Sequence, residues 1–338
     1  MRPRVVIPMG DPAGIGPEIT LKTFLEPRAW AAAEMVVAGG AGILRALAQR
    51  LSLPVRICPV ENGWEAGAVF AEDGGDVVLV PVIDLGGPDR FDYGVVNGEC
   101  GRAAFRYVER AVEETLAGAF QAVVTTAVNK ESLRAGGVPY IGHTEMFAAL
   151  TGTEDPLTLF QVQNLRIFFL SRHVSLRQAC DLVTEERICD YTRRCIAALR
   201  QLGVAEGTFA IAGLNPHSGE HGLFGDEEVR AVFPAVERLQ AEGYAVEGPI
   251  GADSVFHLAK SGRYTGVLSL YHDQGHIAAK TLDFMGTVSV TAGMPILRTS
   301  VDHGTAFDIA GKGLASPESL VAAVEVAAQY APYYGRKN

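Results

Sequence analysis

The stretch Arg4-Val5-Val6-Ile7-Pro8-Met9-Gly10-Asp11-Pro12-Ala13-Gly14-Ile15-Gly16-Pro17-Glu18 decides the fold. After Arg4 it runs apolar as far as Met9 with no polar alternation, which reads as a strand buried on both faces. Gly10 and Pro12 stop the run. Pro17-Glu18 then opens a helix, because proline is pre-set for the first helical turn and a carboxylate suits its positive end. The glycines fall at 10, 14 and 16 and Asp11 sits among them. A standard G-x-G-x-x-G dinucleotide fingerprint is therefore absent here.

The same unit recurs outward from this point. Strand patterns fall at Met35–Ala38, Val77–Val82, Ala122–Thr126, Arg166–Leu170, Phe209–Gly213 and Val267–Tyr271. Helical spacing fills Ile43–Leu51, Gly101–Ala117, Asp190–Leu202, Glu227–Glu242 and Pro317–Tyr330. Residues 83–100, rich in Gly, Asp and Pro, read as a loop. Such alternation predicts an α/β protein with a mainly parallel sheet. The 338 residues suffice for two ordinary domains, and no linker-like tract marks a boundary.

Composition narrows the class. Hydrophobic residues make up 48% and charged residues 20%, enough apolar material for a packed core and too much for a disordered chain. The formal charge of −10 opposes nucleic-acid binding, which needs a cationic field. The five cysteines, Cys58, Cys100, Cys180, Cys189 and Cys195, form no Cys-x-x-Cys pair, and an odd count suits a reducing compartment. Asp11 and Pro12 interrupt the N-terminal apolar run before a signal-peptide core forms, and no window has membrane-spanning length. The expected address is the cytoplasm.

Four of the eight histidines sit in short polar segments that follow apolar runs: His143, His173, His217 and His272. In open α/β sheets the ligand crevice lies outside the carboxyl ends of the strands. Imidazoles delivered there from separate strands could share one metal, though surface or capping roles explain the spacing equally well. His221 and His257 read as ordinary loop and helix residues. His272 and His276 have i, i+4 spacing, but Gly275 between them argues against a helix. Asp273 is either a turn aspartate or an orienting or acid–base group. Lys280 and Arg298, with His143 and Thr144, could hold a phosphate or carboxylate; the plain alternative is solvated basic residues. The segment Arg298–Ala306, punctuated by Gly293, Gly304, Gly311 and Gly313, precedes a helix, and its small residues would let an anion approach backbone N–H groups.

Five motifs occur in order: Met9-Gly10-Asp11-Pro12-Ala13-Gly14-Ile15-Gly16-Pro17-Glu18, Gly142-His143-Thr144-Glu145, Leu214-Asn215-Pro216-His217-Ser218-Gly219-Glu220, Tyr271-His272-Asp273-Gln274-Gly275 and Arg298-Thr299-Ser300-Val301-Asp302-His303-Gly304-Thr305-Ala306. Together they resemble the 4-hydroxythreonine-4-phosphate dehydrogenase family of pyridoxine and pyridoxal phosphate biosynthesis. The last, continued by Asp308-Ile309-Ala310-Gly311-Lys312-Gly313, is also similar to the adenosine-binding segment of isopropylmalate dehydrogenases.

The resemblance implies a two-domain α/β/α subunit, isocitrate/isopropylmalate dehydrogenase-like, with the active site in the interdomain cleft. One domain would comprise residues 1–127 with 304–338, on the cofactor side. The other, 128–303, would carry dimerisation, metal and substrate. It further implies a homodimer whose divalent metal is held by His173 and His217 of one subunit and His272 of the other. Zinc is the expected ion, with cobalt, magnesium or nickel as substitutes. His143, Thr144, Lys280 and Arg298 match substrate-binding positions; His173, His217, His272, Asp273 and Lys280 form the catalytic set. NAD or NADP would lie along Gly293, Asp302, His303, Gly304 and Asp308.

Two positions depart from the family pattern. Ser289, in Val288-Ser289-Val290-Thr291, stands where the family carries a substrate-binding Asn, so a hydroxyl replaces a carboxamide. His276 is shared with a branch resembling dehydrogenases of 4-phospho-threonate or 4-phospho-erythronate. A third branch, acting on a terephthalate-derived dihydrodiol, lacks the histidine–threonine pair kept here at His143-Thr144. The implied activity is oxidation with decarboxylation of a 4-phosphorylated 3-hydroxy four-carbon acid, 4-phosphooxy-L-threonine first and the phosphorylated sugar acids second. A metal-dependent hydrolase or a non-catalytic binding protein would use the same histidines.

Overall fold

The computed structural model describes residues 2–70 and 75–334. The chain divides into two compact units, residues 1–156 with 294–338, and residues 157–293. The first holds β1 (Arg4–Pro8), β2 (Glu34–Gly39), β3 (Val55–Val60), β4 (Val78–Asp84) and β5 (Ala122–Thr125). The second holds β6 (Leu157–Val162), β7 (Leu165–Phe169), β8 (Phe209–Ala212), β9 (Val246–Ile250), β10 (Gly266–Ser269) and β11 (Val288–Ala292). The chain then returns to the first unit with β12 (Leu297–Ser300).

In the first unit the strand order is β3-β4-β2-β1-β5-β12, every pair parallel. Val5, Val6 and Ile7 have no exposed surface, as a central parallel strand covered on both faces requires. The helix Gly98–Leu116 packs on β1 and β2, and the helix Glu318–Tyr330 covers β5 and β12. From β1 the chain goes to β2 on one side, with β4 and β3 beyond it, and later to β5 and β12 on the other, so the switch point lies between β1 and β5. That crevice is where open α/β sheets bind ligands.

In the second unit the order is β11-β6-β7-β10-β8-β9. β7, β10, β8 and β9 are parallel, while β6 runs antiparallel to both β7 and β11. A four-stranded parallel stretch thus carries one reversed neighbour.

Four expectations need correction. Arg298–Ala306 does not lead directly into a helix: Leu297–Ser300 is strand β12, residues 302–317 are turn and loop, and the helix begins at Glu318. Residues 272–282 form a helix that includes Gly275. A Cβ there would lie 2.6 Å from Phe169 and 2.8 Å from Ile167, so the glycine is present because the helix lies close on β7, and that closeness outweighs its poor helix propensity. His143 does not follow a strand; it opens the helix His143–Thr151 after a turn. The loop read at 83–100 is shorter, since β4 runs to Asp84 and a helix capped by the Asn97 side chain starts at Gly98.

Candidate active site

The second unit gathers three of the expected ligands at one end of its sheet. β7, β10 and β8 are adjacent and parallel, and His173, His272 and His217 follow their carboxyl ends. The rings of His173 and His272 lie 6.0 Å apart, centroid to centroid. With Asp273, Arg172 and Tyr271 they line a cavity of about 300 Å³. Asp273 Oδ1 stands 2.6 Å from His272 Nδ1. A carboxylate there favours the tautomer protonated on Nδ1 and leaves Nε2 as a ligand, a common arrangement around metal-binding histidines.

Gln274 ties two of the strand exits together. Its Oε1 accepts from Leu270 N–H at 2.8 Å and its Nε2 donates to Gly213 O at 2.7 Å. The segment after β10 is thereby fastened to the segment after β8. His276 completes this corner, one helical turn after His272. The two rings stack at 3.6 Å with planes 12° apart, and His276 sits 4.3 Å from the Phe160 ring and 4.7 Å from Phe169. Ser289 lies on β11 opposite Phe160 in the register. Lys280 is two turns along the same helix from His272, with its ammonium 4.6 Å from the Phe284 ring.

His217 stands in an unusual backbone. His217, Ser218, Gly219, Glu220 and His221 all have left-handed φ, between 42° and 78°. Each non-glycine residue in that region costs about 1–2 kcal/mol. The His217 ring lies 6.3 Å from Phe224. Among the described residues, no group of three or more His, Cys, Asp or Glu side chains is placed to hold a metal. Within one chain the rings of His173 and His272 approach each other, and the three histidines do not by themselves form a metal-holding group among the described residues.

In the first unit, Arg298 projects from β12 and is 5% exposed. Its Nε and Nη2 donate to Thr125 Oγ1 at 3.2 and 3.0 Å, beside the switch point, and its guanidinium lies 5.0 Å from the Phe147 ring. Burial pulls its pKa down to about 9, which still leaves it a cation at neutral pH. His143 shares this corner, 6.4 Å from Phe147 ring to ring. Its Nε2 is out of reach of water and has no hydrogen-bond partner among the described residues. Burial, and then the Arg298 charge, hold its pKa well below the usual imidazole value. The helix His143–Thr151 begins here without a side-chain cap, so its first N–H groups, with Thr144 in the first turn, remain available to an anion.

The segment carrying Asp302, His303, Gly304 and Asp308 folds back on the turn after β1. Ile15 N–H donates to Thr305 O at 3.0 Å, and Glu18 accepts from Gly313 N–H and Ala315 N–H at 3.1 and 2.9 Å. A Cβ at Gly304 or at Gly293 would meet nothing within 4 Å, so both positions leave room for a ligand. Asp11, in the turn itself, is fully buried, accepts from Ala13 N–H at 2.9 Å and leaves Oδ2 without a partner among the described residues. Desolvation raises its pKa. In the sequence Asp11 reads only as a carboxylate among glycines that ends an apolar run, and Gln274 draws no role of its own. Their places inside the first and fourth motifs, Gly10-Asp11-Pro12 and His272-Asp273-Gln274, are the available signal.

The family model described as "Pyridoxal phosphate biosynthetic protein PdxA" matches residues 31–327. The chain belongs to the PdxA family. A Clostridium botulinum (strain Langeland) relative named "Putative D-threonate 4-phosphate dehydrogenase" is 55% identical over 333 residues, 98% of each chain. A Fusobacterium nucleatum relative of the same name is 52% identical, covering 99% of each. Among solved structures, the 4-hydroxythreonine-4-phosphate dehydrogenase of Klebsiella pneumoniae superimposes with a TM-score of 0.88 at 40% identity, covering 98% of each chain. This PdxA chain is accordingly an enzyme, a dehydrogenase of the 4-hydroxythreonine-4-phosphate dehydrogenase kind. No helix among the described residues is long and apolar enough to cross a membrane.

Proposed function

We propose that this PdxA protein oxidises D-threonate 4-phosphate at its 3-hydroxyl with a nicotinamide cofactor, at a metal-assisted site completed by two copies of the chain. The observation that carries the reading is the buried Arg298–His143 corner, a fixed cation beside a neutral imidazole and an uncapped helix start. Such a corner suits a phosphate monoester. Arg298 stays put because Thr125 holds two of its N–H groups, so the phosphate meets a preformed cation. Thr144 adds a hydroxyl, and Lys280 supplies a second cation for the substrate's acidic groups.

His173, His217 and, from a second subunit, His272 are the residues that would hold a divalent metal, zinc first among candidates. The donor set fits: all are imidazoles, and Asp273 sets the tautomer of His272. Asp302, His303, Gly304 and Asp308, with Gly293, are the residues offered to NAD or NADP. When bound, the metal supplies Lewis acidity toward the substrate hydroxyl, and the nicotinamide supplies a two-electron acceptor. The chain's own share is placement. Arg298 and His143 would anchor the phosphate, and the Gln274 tie holds the exits of β10 and β8, which carry His272 and His217, to each other. Ser289, shorter than the family's Asn, suits an acid that carries no amino group at carbon 2.

A second reading, 4-phosphooxy-L-threonine, draws on the Klebsiella pneumoniae structure. Parallel assays of D-threonate 4-phosphate, D-erythronate 4-phosphate and 4-phosphooxy-L-threonine with both nicotinamides decide between them. Fastest cofactor reduction is expected with D-threonate 4-phosphate. Phosphate release without cofactor reduction would make the protein a hydrolase instead. Arg298→Met is expected to raise KM for the phosphorylated substrate by about tenfold or more, with kcat changed far less. An equal loss on an unphosphorylated analogue would remove the phosphate role from Arg298.

A further inference from the structure

We propose that Glu228 is a positioning residue for His217, its carboxylate pinning the chain at the mouth of the left-handed turn that carries this imidazole. The proposal rests on the reading of His217 as a metal ligand. Glu228 has no exposed surface. Its Oε1 accepts from Leu214 N–H at 2.8 Å and from Asn215 N–H at 2.7 Å, and its Oε2 accepts from Asn215 Nδ2 at 2.8 Å. Asn215 Nδ2 also donates to Glu227 Oε2 at 2.7 Å. His217 lies two residues beyond Asn215.

The turn needs such a hold. Five consecutive residues from His217 to His221 are left-handed, and four of them bear a Cβ. A run of that kind does not stabilise itself, so contacts outside it must fix it. Glu228 touches both its approach and its middle: a Cβ at Gly219 would fall 2.8 Å from Glu228 Oε2 and 3.0 Å from Gly225 O. Gly219 is thus glycine for two reasons, its φ of 78° and the carboxylate against it. Three N–H donors converge on Glu228, and only a group with acceptors on both oxygens meets them all. A glutamine would turn its amide toward Asn215, and flipping Asn215 to compensate would set its oxygen against the Glu227 carboxylate. Glu228 touches no reacting atom, so its action runs through the backbone of 214–215.

The test is a Co²⁺ titration of the full chain, followed by visible absorption and calorimetry, for wild type, His217→Ala, Glu228→Ala, Glu228→Gln and Gly219→Ala. Thermal unfolding without metal is recorded alongside. His217→Ala is expected to lose high-affinity cobalt. Glu228→Gln and Gly219→Ala are expected to bind cobalt about tenfold or more weakly, with an altered spectrum and a cooperative melt. Should Glu228→Ala not fold, the other two variants carry the test. A merely structural Glu228 would lower the melting temperature and leave the affinity and spectrum of the folded protein alone; that result overturns the proposal. Wild-type cobalt affinity in His217→Ala would overturn the metal reading, and the positioning role with it.

Discussion

His143 and Gly275 show two ways in which a single residue carries the architecture. The imidazole of His143 is held neutral by burial and by Arg298, so its folded pKa lies well below its unfolded value near 6.5. Above that value neither state binds the proton and the residue is silent. As the pH falls through it, the unfolded chain takes a proton that the folded chain refuses, and stability drops by up to about 1.4 kcal/mol per pH unit. Urea unfolding of wild type and His143→Gln between pH 7.5 and 5.5 is expected to show this extra loss in wild type alone, starting near pH 6.5. Gly275 works by absence. Its missing side chain lets the helix His272–Leu282 lie on Phe169 and Ile167. Gly275→Ala is expected to cost about 1–3 kcal/mol by overpacking, read as a lower urea midpoint, despite alanine's better helix propensity.

At the level of elements, Gln274 joins the exits of β10 and β8 through two buried hydrogen bonds. Gln274→Leu orphans Leu270 N–H and Gly213 C=O, and a loss on the order of 1–3 kcal/mol for each is expected in urea unfolding. The sequence disclosed some elements and hid others for physical reasons. β1, β2, β7, β8 and β10 were legible because a strand buried on both faces is apolar without interruption. β3 was not: Pro59 interrupts its sequence pattern and Ile57 alone of its six residues is buried, as befits the edge it occupies. β12, Leu297–Ser300, is hidden because its Arg, Thr and Ser are polar yet buried, each satisfied inside the fold: Arg298 on Thr125 Oγ1, Thr299 on Ala323 O and Ser300 on Val301 O. The helix His272–Leu282 is hidden because the closeness that demands Gly275 is a property of its neighbour β7. His173, His217 and His272 were legible as residues that follow strands; His143, at a helix start after a turn, was not. That β7, β10 and β8 lie side by side is a fact of topology, which no local spacing encodes.

Across the whole molecule, the first unit is sewn from distant parts of the chain. Glu18, fully buried, pairs with Lys22 at 2.8 Å and accepts from Gly313 and Ala315 N–H, while Lys22 also donates to the carbonyls of both. Glu18→Ala leaves the Lys22 charge with carbonyl acceptors but no counter-charge, and strips Gly313 and Ala315 N–H of their acceptor. Urea unfolding is expected to report a loss of about 3–5 kcal/mol, the usual cost of breaking a buried pair from one side. β12 fills the place beside β5 only after all of residues 157–293 have been threaded. During synthesis, β5 therefore emerges from the ribosome roughly 170 residues before its neighbour, a wait on the order of ten to thirty seconds at ordinary elongation rates. Throughout that interval the nascent polypeptide offers an unguarded row of amide and carbonyl groups, which makes a half-translated chain the form most prone to mispair or to recruit a chaperone.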